Sequence, residues 1–260
     1  MTADPLIRLS DIALHRRGGA VFERVDFELA PGERVALLGP NGSGKSSLLH
    51  LIVGLDQPAA GTVAAFGAER ARESDFRDVR AQAGLLFQDP DDQLFCPTVL
   101  DDVAFGPLNL GSAPEDAAEQ ARQTLGRLGF GSYEGRITHH LSGGEKRLVA
   151  LATVLAMEPR VLLLDEPTSG LDDSARERLI EHLGRLEDMA MVFASHDSRL
   201  IERLATRAVV FDGGTLCTGR IHSHPHVHEH AHTHVHVAGR ETGEHHYPGL
   251  GRDLIHHEPQ

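Results

Sequence analysis

Two hydrophobic rhythms alternate along the chain. Ile7-Arg8-Leu9 and Val25-Asp26-Phe27-Glu28-Leu29 place apolar and polar residues in turn. That period-two pattern predicts half-exposed antiparallel strands. Pro31-Gly32-Glu33 reads as a turn, and Arg34-Val35-Ala36-Leu37-Leu38 as a buried strand running into a glycine-rich loop. A helix is predicted from Lys45 to Val53, with Gly54 as its C-terminal cap. The stretch from about Val99 to Leu155 reads as mostly helical, broken at Gly106-Pro107 and Gly143-Gly144. Val161-Leu162-Leu163-Leu164-Asp165 is apolar without alternation until its last residue, the signature of a strand buried on both faces. Met191-Val192-Phe193-Ala194-Ser195 and Ala208-Val209-Val210-Phe211 read as its sheet neighbours. Strands alternating with helices imply an α/β fold around a mainly parallel sheet.

Length and composition narrow the picture. The 260 residues suffice for a core that needs no staples. The formal net charge is −13 and no Lys/Arg block occurs, which argues against a nucleic-acid partner. Cys96 and Cys217 lie far apart, so a disulfide framework is not expected and a reducing cytosol is the natural compartment. The first residues show no secretory pattern, and no apolar run approaches the roughly 18 to 20 residues of a spanning helix. Any service to a membrane would be that of a peripheral subunit on the cytoplasmic face. Composition shifts at about residue 221. Residues 1–221 read as the folded body, and 222–260 as a His- and Glu-rich, low-complexity, disordered tail.

The chemistry begins at Gly39-Pro40-Asn41-Gly42-Ser43-Gly44-Lys45-Ser46-Ser47, which fits G-x-x-x-x-G-K-[ST]. Glycines let successive N–H groups aim at phosphate oxygens, and the following helix adds its positive end. Lys45 is placed for the β- and γ-phosphates, and the Ser46 hydroxyl for Mg²⁺. Asp165 ends the buried strand, where a carboxylate can hold the hydration shell of Mg²⁺. Glu166 follows it toward the same crevice, placed to polarise a water for attack on the γ-phosphorus.

Leu141-Ser142-Gly143-Gly144-Glu145 resembles the signature motif of ATP-binding-cassette ATPases, with Glu145 where many members carry Gln. The resemblance covers residues 6 to about 221. It implies a P-loop NTPase of the ABC ATPase type: a mainly parallel central sheet, an antiparallel β subdomain, and an inserted helical subdomain at about 89–156. It also implies that the signature docks on ATP held by a second ATPase subunit, identical or paralogous. Gln88 matches the Q-loop glutamine, which touches Mg²⁺ and senses the membrane partner. Asp172, in Ser169-Gly170-Leu171-Asp172, matches the D-loop at the dimer interface. His196 matches the switch histidine on the γ-phosphate. The family's adenine-stacking aromatic is missing. Arg16 is the best match by spacing, and a guanidinium plane can stack on a base.

Phe87-Gln88-Asp89-Pro90-Asp91-Asp92-Gln93-Leu94-Phe95, with Val99 to Pro107, resembles the ATPases of energy-coupling-factor importers, the cobalt, nickel and vitamin branch. That implies an integral membrane coupling subunit and a substrate-capturing membrane subunit as partners. The tail points to the cargo. His222, His224, His226, His228, His230, His232, His234 and His236 alternate without a break, and His245-His246 and His256-His257 follow. In an extended chain such side chains share one face at a spacing of about 6 to 7 Å. Imidazoles so spaced suit Ni²⁺, Co²⁺, Zn²⁺ or Cu²⁺. The reading is therefore an ATP- and Mg²⁺-dependent ATPase energising a cobalt or nickel importer. A vitamin or zinc importer and a soluble non-transport cassette ATPase are the alternatives.

Overall fold

The computed structural model describes residues 4–16, 18–225 and 231–237, arranged as two sheets and a set of helices. Strands β1 (Ile7–Arg16) and β2 (Gly19–Leu29) form a hairpin. β3 (Arg34–Leu38) leads into α1 (Lys45–Ile52), and β4 (Ala60–Ala65) and β5 (Ala68–Arg70) complete an antiparallel sheet of order β2-β1-β4-β5. Then come α2 (Glu73–Gln82), β6 (Ala83–Leu86), and the helical insert α3 (Val99–Asn109), α4 (Pro114–Arg127) and α5 (Gly143–Leu155). β7 (Val161–Asp165), α6 (Asp173–Gly184), β8 (Ala190–Ala194), α7 (Ser198–Leu204) and β9 (Arg207–Asp212) follow, and β10 (Thr215–Pro225) and β11 (Ala231–Val237) end the described chain.

The central sheet runs β11-β10-β9-β3-β8-β7-β6. β9, β3, β8, β7 and β6 are mutually parallel, while β10 and β11 are added antiparallel at one edge. Its strands are apolar throughout because both faces are covered. On β7, Leu162 and Leu164 pack with the helical insert, whereas Val161 and Leu163 face α1 and the antiparallel sheet. β8 is the direct neighbour of β7, as expected, but β9 pairs with β3. Apolar runs reveal that strands share a sheet, not their order.

Other differences have local causes. β1 runs on to Arg16 because a bulge at Asp11 (φ 51°) shifts its buried positions from Leu9 to Ile12 and Leu14, which hides the continuation. Pro107 does not break α3. It lies in the last turn, where little of the hydrogen-bond ladder remains to lose. Gly143-Gly144 starts a helix instead of interrupting one, because Ser142 caps it. Gly54 takes the left-handed cap (φ 73°) with its amide donating to Leu51 O, and a Cβ there would meet the Phe76 ring at 2.2 Å.

The β10–β11 pairing carries the sheet past residue 221, over 222–225 and 231–237. His226, His228, His230 and residues 238–260 lie outside the described residues. No helix among the described residues is long and apolar enough to cross a membrane.

Candidate functional site

The phosphate loop is shaped by what lies behind it. Gly39 turns at φ 144°, and a Cβ there would stand 2.8 Å from Ser43 Oγ and 2.9 Å from Phe211 Cβ. The Ser43 amide donates to Pro40 O at 3.2 Å. Gly44 (φ 106°) is the N-cap of α1, and a Cβ on it would lie 2.7 Å from the Phe22 ring. No side chain caps α1, so its first amides stay available to an anion.

Beside this loop opens a cleft of about 980 Å³, within the size range of small-molecule sites. It is lined by Asn41, Gly42, Gly44, Lys45, Ser46 and Ser47 together with Arg16, Gln88, Asp165, Glu166 and His196. Pro40 enters as a carbonyl acceptor for Lys45. Strand ends deliver the acidic pair: Asp165 closes β7 and Glu166 follows in a left-handed conformation (φ 43°), its amide donating to Ala194 O at 2.9 Å. His196 stands just past β8, the adjacent strand.

Lys45 is buried and donates to Gly39 O at 2.8 Å, Pro40 O at 3.2 Å and His196 Nε2 at 3.3 Å. With Nε2 accepting, the imidazole proton belongs on Nδ1. His196 Nε2 is 3.4 Å from Glu166 Oε1. Burial pushes the Lys45 ammonium below its ordinary value, against the pull of Glu166 and Asp165. Burial also raises Glu166 to about 7, opposed by the Lys45 charge and aided by Asp165. Burial and then the Lys45 charge lower His196 to about 4. The ring is therefore neutral at physiological pH, and its approach to Glu166 is not an ion pair.

Ser43 Oγ, Asp165 Oδ1 and His196 Nδ1 are buried without a partner in the chain. Hard oxygen donors at Asp165 and Ser46 suit Mg²⁺, and the His196 N–H suits a phosphate oxygen. The residues present thus fit a magnesium nucleotide. Arg16 is held at the outer end of the cleft by Asp56 (Nη2 to Oδ2, 2.6 Å).

Leu141, Ser142, Gly143, Gly144, Glu145 and Asp172 do not line this cleft. Leu141 is buried, and Ser142 Oγ accepts from the Glu145 amide at 3.3 Å. Glu145 returns the bond, its Oε2 accepting from the Ser142 amide at 2.7 Å. Its other oxygen accepts from Tyr133 Oη at 2.7 Å and Arg136 Nη1 at 3.1 Å. The Tyr133 hydroxyl, the Ser142 amide and Arg136 together depress Glu145 to about 2. The signature Glu is thus locked into its own chain, which leaves the Ser142 hydroxyl free to donate outward. Asp172 caps α6, its Oδ1 accepting from the Ala175 amide at 2.7 Å.

Sequence reading missed the straps on the Gln88 loop. Arg147, buried in α5, donates from Nη1 to Phe87 O at 2.7 Å and from Nη2 to Gln88 O. Gln93 accepts from the Phe87 amide at 3.2 Å and donates to Thr153 Oγ1 at 2.8 Å. Buried Asp102 accepts from the Phe95 and Cys96 amides at 3.0 and 2.8 Å and from Thr138 Oγ1 at 2.8 Å. An arginine directly before the apolar run Leu148 to Leu155 was the visible signal for the first; Asp102 sat unmarked in an acidic stretch.

Residues 22–169 match the family model described as ABC transporter. The chain belongs to this family. An ABC transporter ATP-binding protein of Brucella suis biovar 1 is 54% identical over 220 residues, covering 85% of this chain and 91% of that protein. The nickel import ATP-binding protein NikO of Rhodobacter capsulatus is 42% identical, with 81% of this chain and 87% of that protein covered. The structure of cbiO1 from Clostridium perfringens, described as part of the ABC transporter complex cbiONQ, superposes with a TM-score of 0.74 at 30% identity, covering 82% of this chain and 87% of that one. This ABC transporter ATPase couples ATP hydrolysis to transport.

Proposed function

We propose that this ATPase energises an energy-coupling-factor-type importer for Ni²⁺ or Co²⁺, as a peripheral subunit on the cytoplasmic face of the cell membrane. The observation that carries the motor chemistry is the convergence of Lys45, Glu166 and His196 beside the phosphate loop. The resemblance of the Phe87–Pro107 stretch to energy-coupling-factor ATPases and the likeness to NikO support the cargo. The domain reading supports the same assignment: an ABC body over 1–221 with a helical subdomain at about 89–156.

ATP lies along the cleft with its base stacked on Arg16 and its phosphates on the amides of Gly39–Ser47. Ser46, Asp165 and Gln88 hold Mg²⁺, which when bound neutralises phosphate charge. Lys45 turns its ammonium from the Gly39 and Pro40 carbonyls to the β- and γ-phosphates. Glu166, ionised, takes the proton of the attacking water, and the neutral His196 ring donates an N–H to a γ-phosphate oxygen. Since Ser142 stands outside its own chain's cleft, it completes the site of a second ATPase subunit, where Asp172 also meets the interface. Phe95 and Phe105 stack edge to face (centroids 4.8 Å apart) and are exposed, beside the strapped loop. This patch receives the membrane coupling subunit, which reorients the substrate-capturing subunit.

Glu166→Gln keeps ATP affinity and lowers turnover by at least about a hundredfold. Unchanged turnover in that variant removes Glu166 from its role. Cellular uptake of labelled Ni²⁺ and Co²⁺, with and without this gene, tests the cargo. If neither changes, the motor serves another substrate, such as a vitamin or zinc.

A further inference from the structure

The nucleotide chemistry makes no use of the histidine-rich segment, yet backbone pairing organises part of it. In the β10–β11 ladder His222 stands opposite His234, His224 opposite His232, and His236 opposite Arg220. Directly paired residues of an antiparallel ribbon share a face, and so do residues two apart on one strand. His222, His224, His232, His234 and His236 therefore occupy one face, as two cross-strand pairs and a fifth position beside them. The other face carries Ile221, Ser223, Thr233, Val235 and Val237, with no imidazole among them. Alternation also assigns the sides. Gly219 is buried and Ile221 packs on the core, whereas Arg220, which belongs to the histidine face, is exposed.

We propose that this face of the β10–β11 hairpin is a site for a divalent transition-metal ion, built on the His222/His234 and His224/His232 pairs. Cross-strand partners have Cβ atoms about 4.5 to 5.5 Å apart, and strand neighbours on one face lie roughly 7 Å apart. Imidazole nitrogens bind such ions at about 2.0 to 2.1 Å, and the carrying observation is this juxtaposition of histidine positions across the ladder. Nitrogen donors without thiolate suit Ni²⁺, Co²⁺ and Zn²⁺. The two strands bring histidine positions together across the ladder, which a single extended segment cannot do. The site is independent of the transport cargo, since it concerns metal held by this chain alone.

Ni²⁺ binding to the full-length protein, measured by equilibrium dialysis, tests it. The decisive variant exchanges neighbours on β11 and keeps composition unchanged: His232→Thr with Thr233→His, and His234→Val with Val235→His. It moves two histidines to the opposite face. Affinity falls at least about tenfold if the paired face is the site, since even outer-shell losses cost ten- to a hundredfold. Affinity within about twofold of the parent overturns the proposal, because binding then follows histidine content alone. The milder pair His222→Ala and His224→Ala guards against a folding defect and gives the same loss, with binding of a fluorescent ATP analogue unchanged. Replacing His245, His246, His256 and His257 by Ala, all outside the described residues, leaves affinity within about twofold. If that replacement abolishes the tight site instead, the hairpin is not its location.

Discussion

Glu166 holds a backbone conformation that a non-glycine residue adopts at a cost of about 1 to 3 kcal/mol, and it does so where its carboxyl is raised to about 7. Burial is the main cause, so the folded chain binds this proton more tightly than the unfolded one. The associated stability is complete below the ordinary carboxyl value of 4.5 and is lost as pH rises through about 7. In metal-free, nucleotide-free protein, Glu166→Gln should therefore raise Tm more at about pH 8 than at about pH 5. Thermal melts of both proteins at the two pH values check this; an equal difference at both would contradict the raised carboxyl. Much of this site was legible in the sequence. Gly39–Ser47, Asp165 and Glu166 could be read from spacing and strand ends, and His196 from family order. The charge states could not, because they depend first on burial in the folded cleft and then on the Lys45 charge beside His196, a contact 151 positions apart in the chain.

Among the elements, the Gln88 loop and α5 behave as one piece. Arg147 and Gln93 fasten the loop to α5, and Asp102 fastens its far end to the turn before Ser142. Asp102→Ala would leave two amides and the Thr138 hydroxyl without their acceptor, at a cost of about 2 to 4 kcal/mol in denaturant titration. Asp102→Asn keeps an acceptor oxygen for the two amides and should recover at least half of that loss. Hydrogen exchange gives a second measure: Arg147→Ala should speed exchange at 87–95 while α6 stays protected. None of these straps could be read from periodicity. They join polar side chains to backbone groups of a loop, and a loop has no repeating pattern to announce its partners.

For the whole molecule, the central sheet separates two cores, and β7 contributes to both. The sequence revealed that double burial in the unbroken run Val161 to Leu164, but gave no warning of the bulge at Asp11 or of the strand order. Leu163→Ala should lower stability by about 2 to 5 kcal/mol, read from chemical denaturation. Dimer assembly is tested separately. In a Glu166→Gln background, ATP should drive two copies together on a sizing column, and adding Ser142→Ala should weaken that pairing while leaving the affinity for a fluorescent ATP analogue intact.

The ring of Phe22, from the antiparallel sheet, stacks on Phe211 of the central sheet with centroids 5.4 Å apart, and the two residues back Gly44 and Gly39 respectively. The curvature of the phosphate loop is thus moulded at the seam where two separately built sheets meet. A molecule wedged into that seam, or Phe22→Ala, would spoil the grip on nucleotide without touching a single phosphate. This motor can be disarmed from its rear.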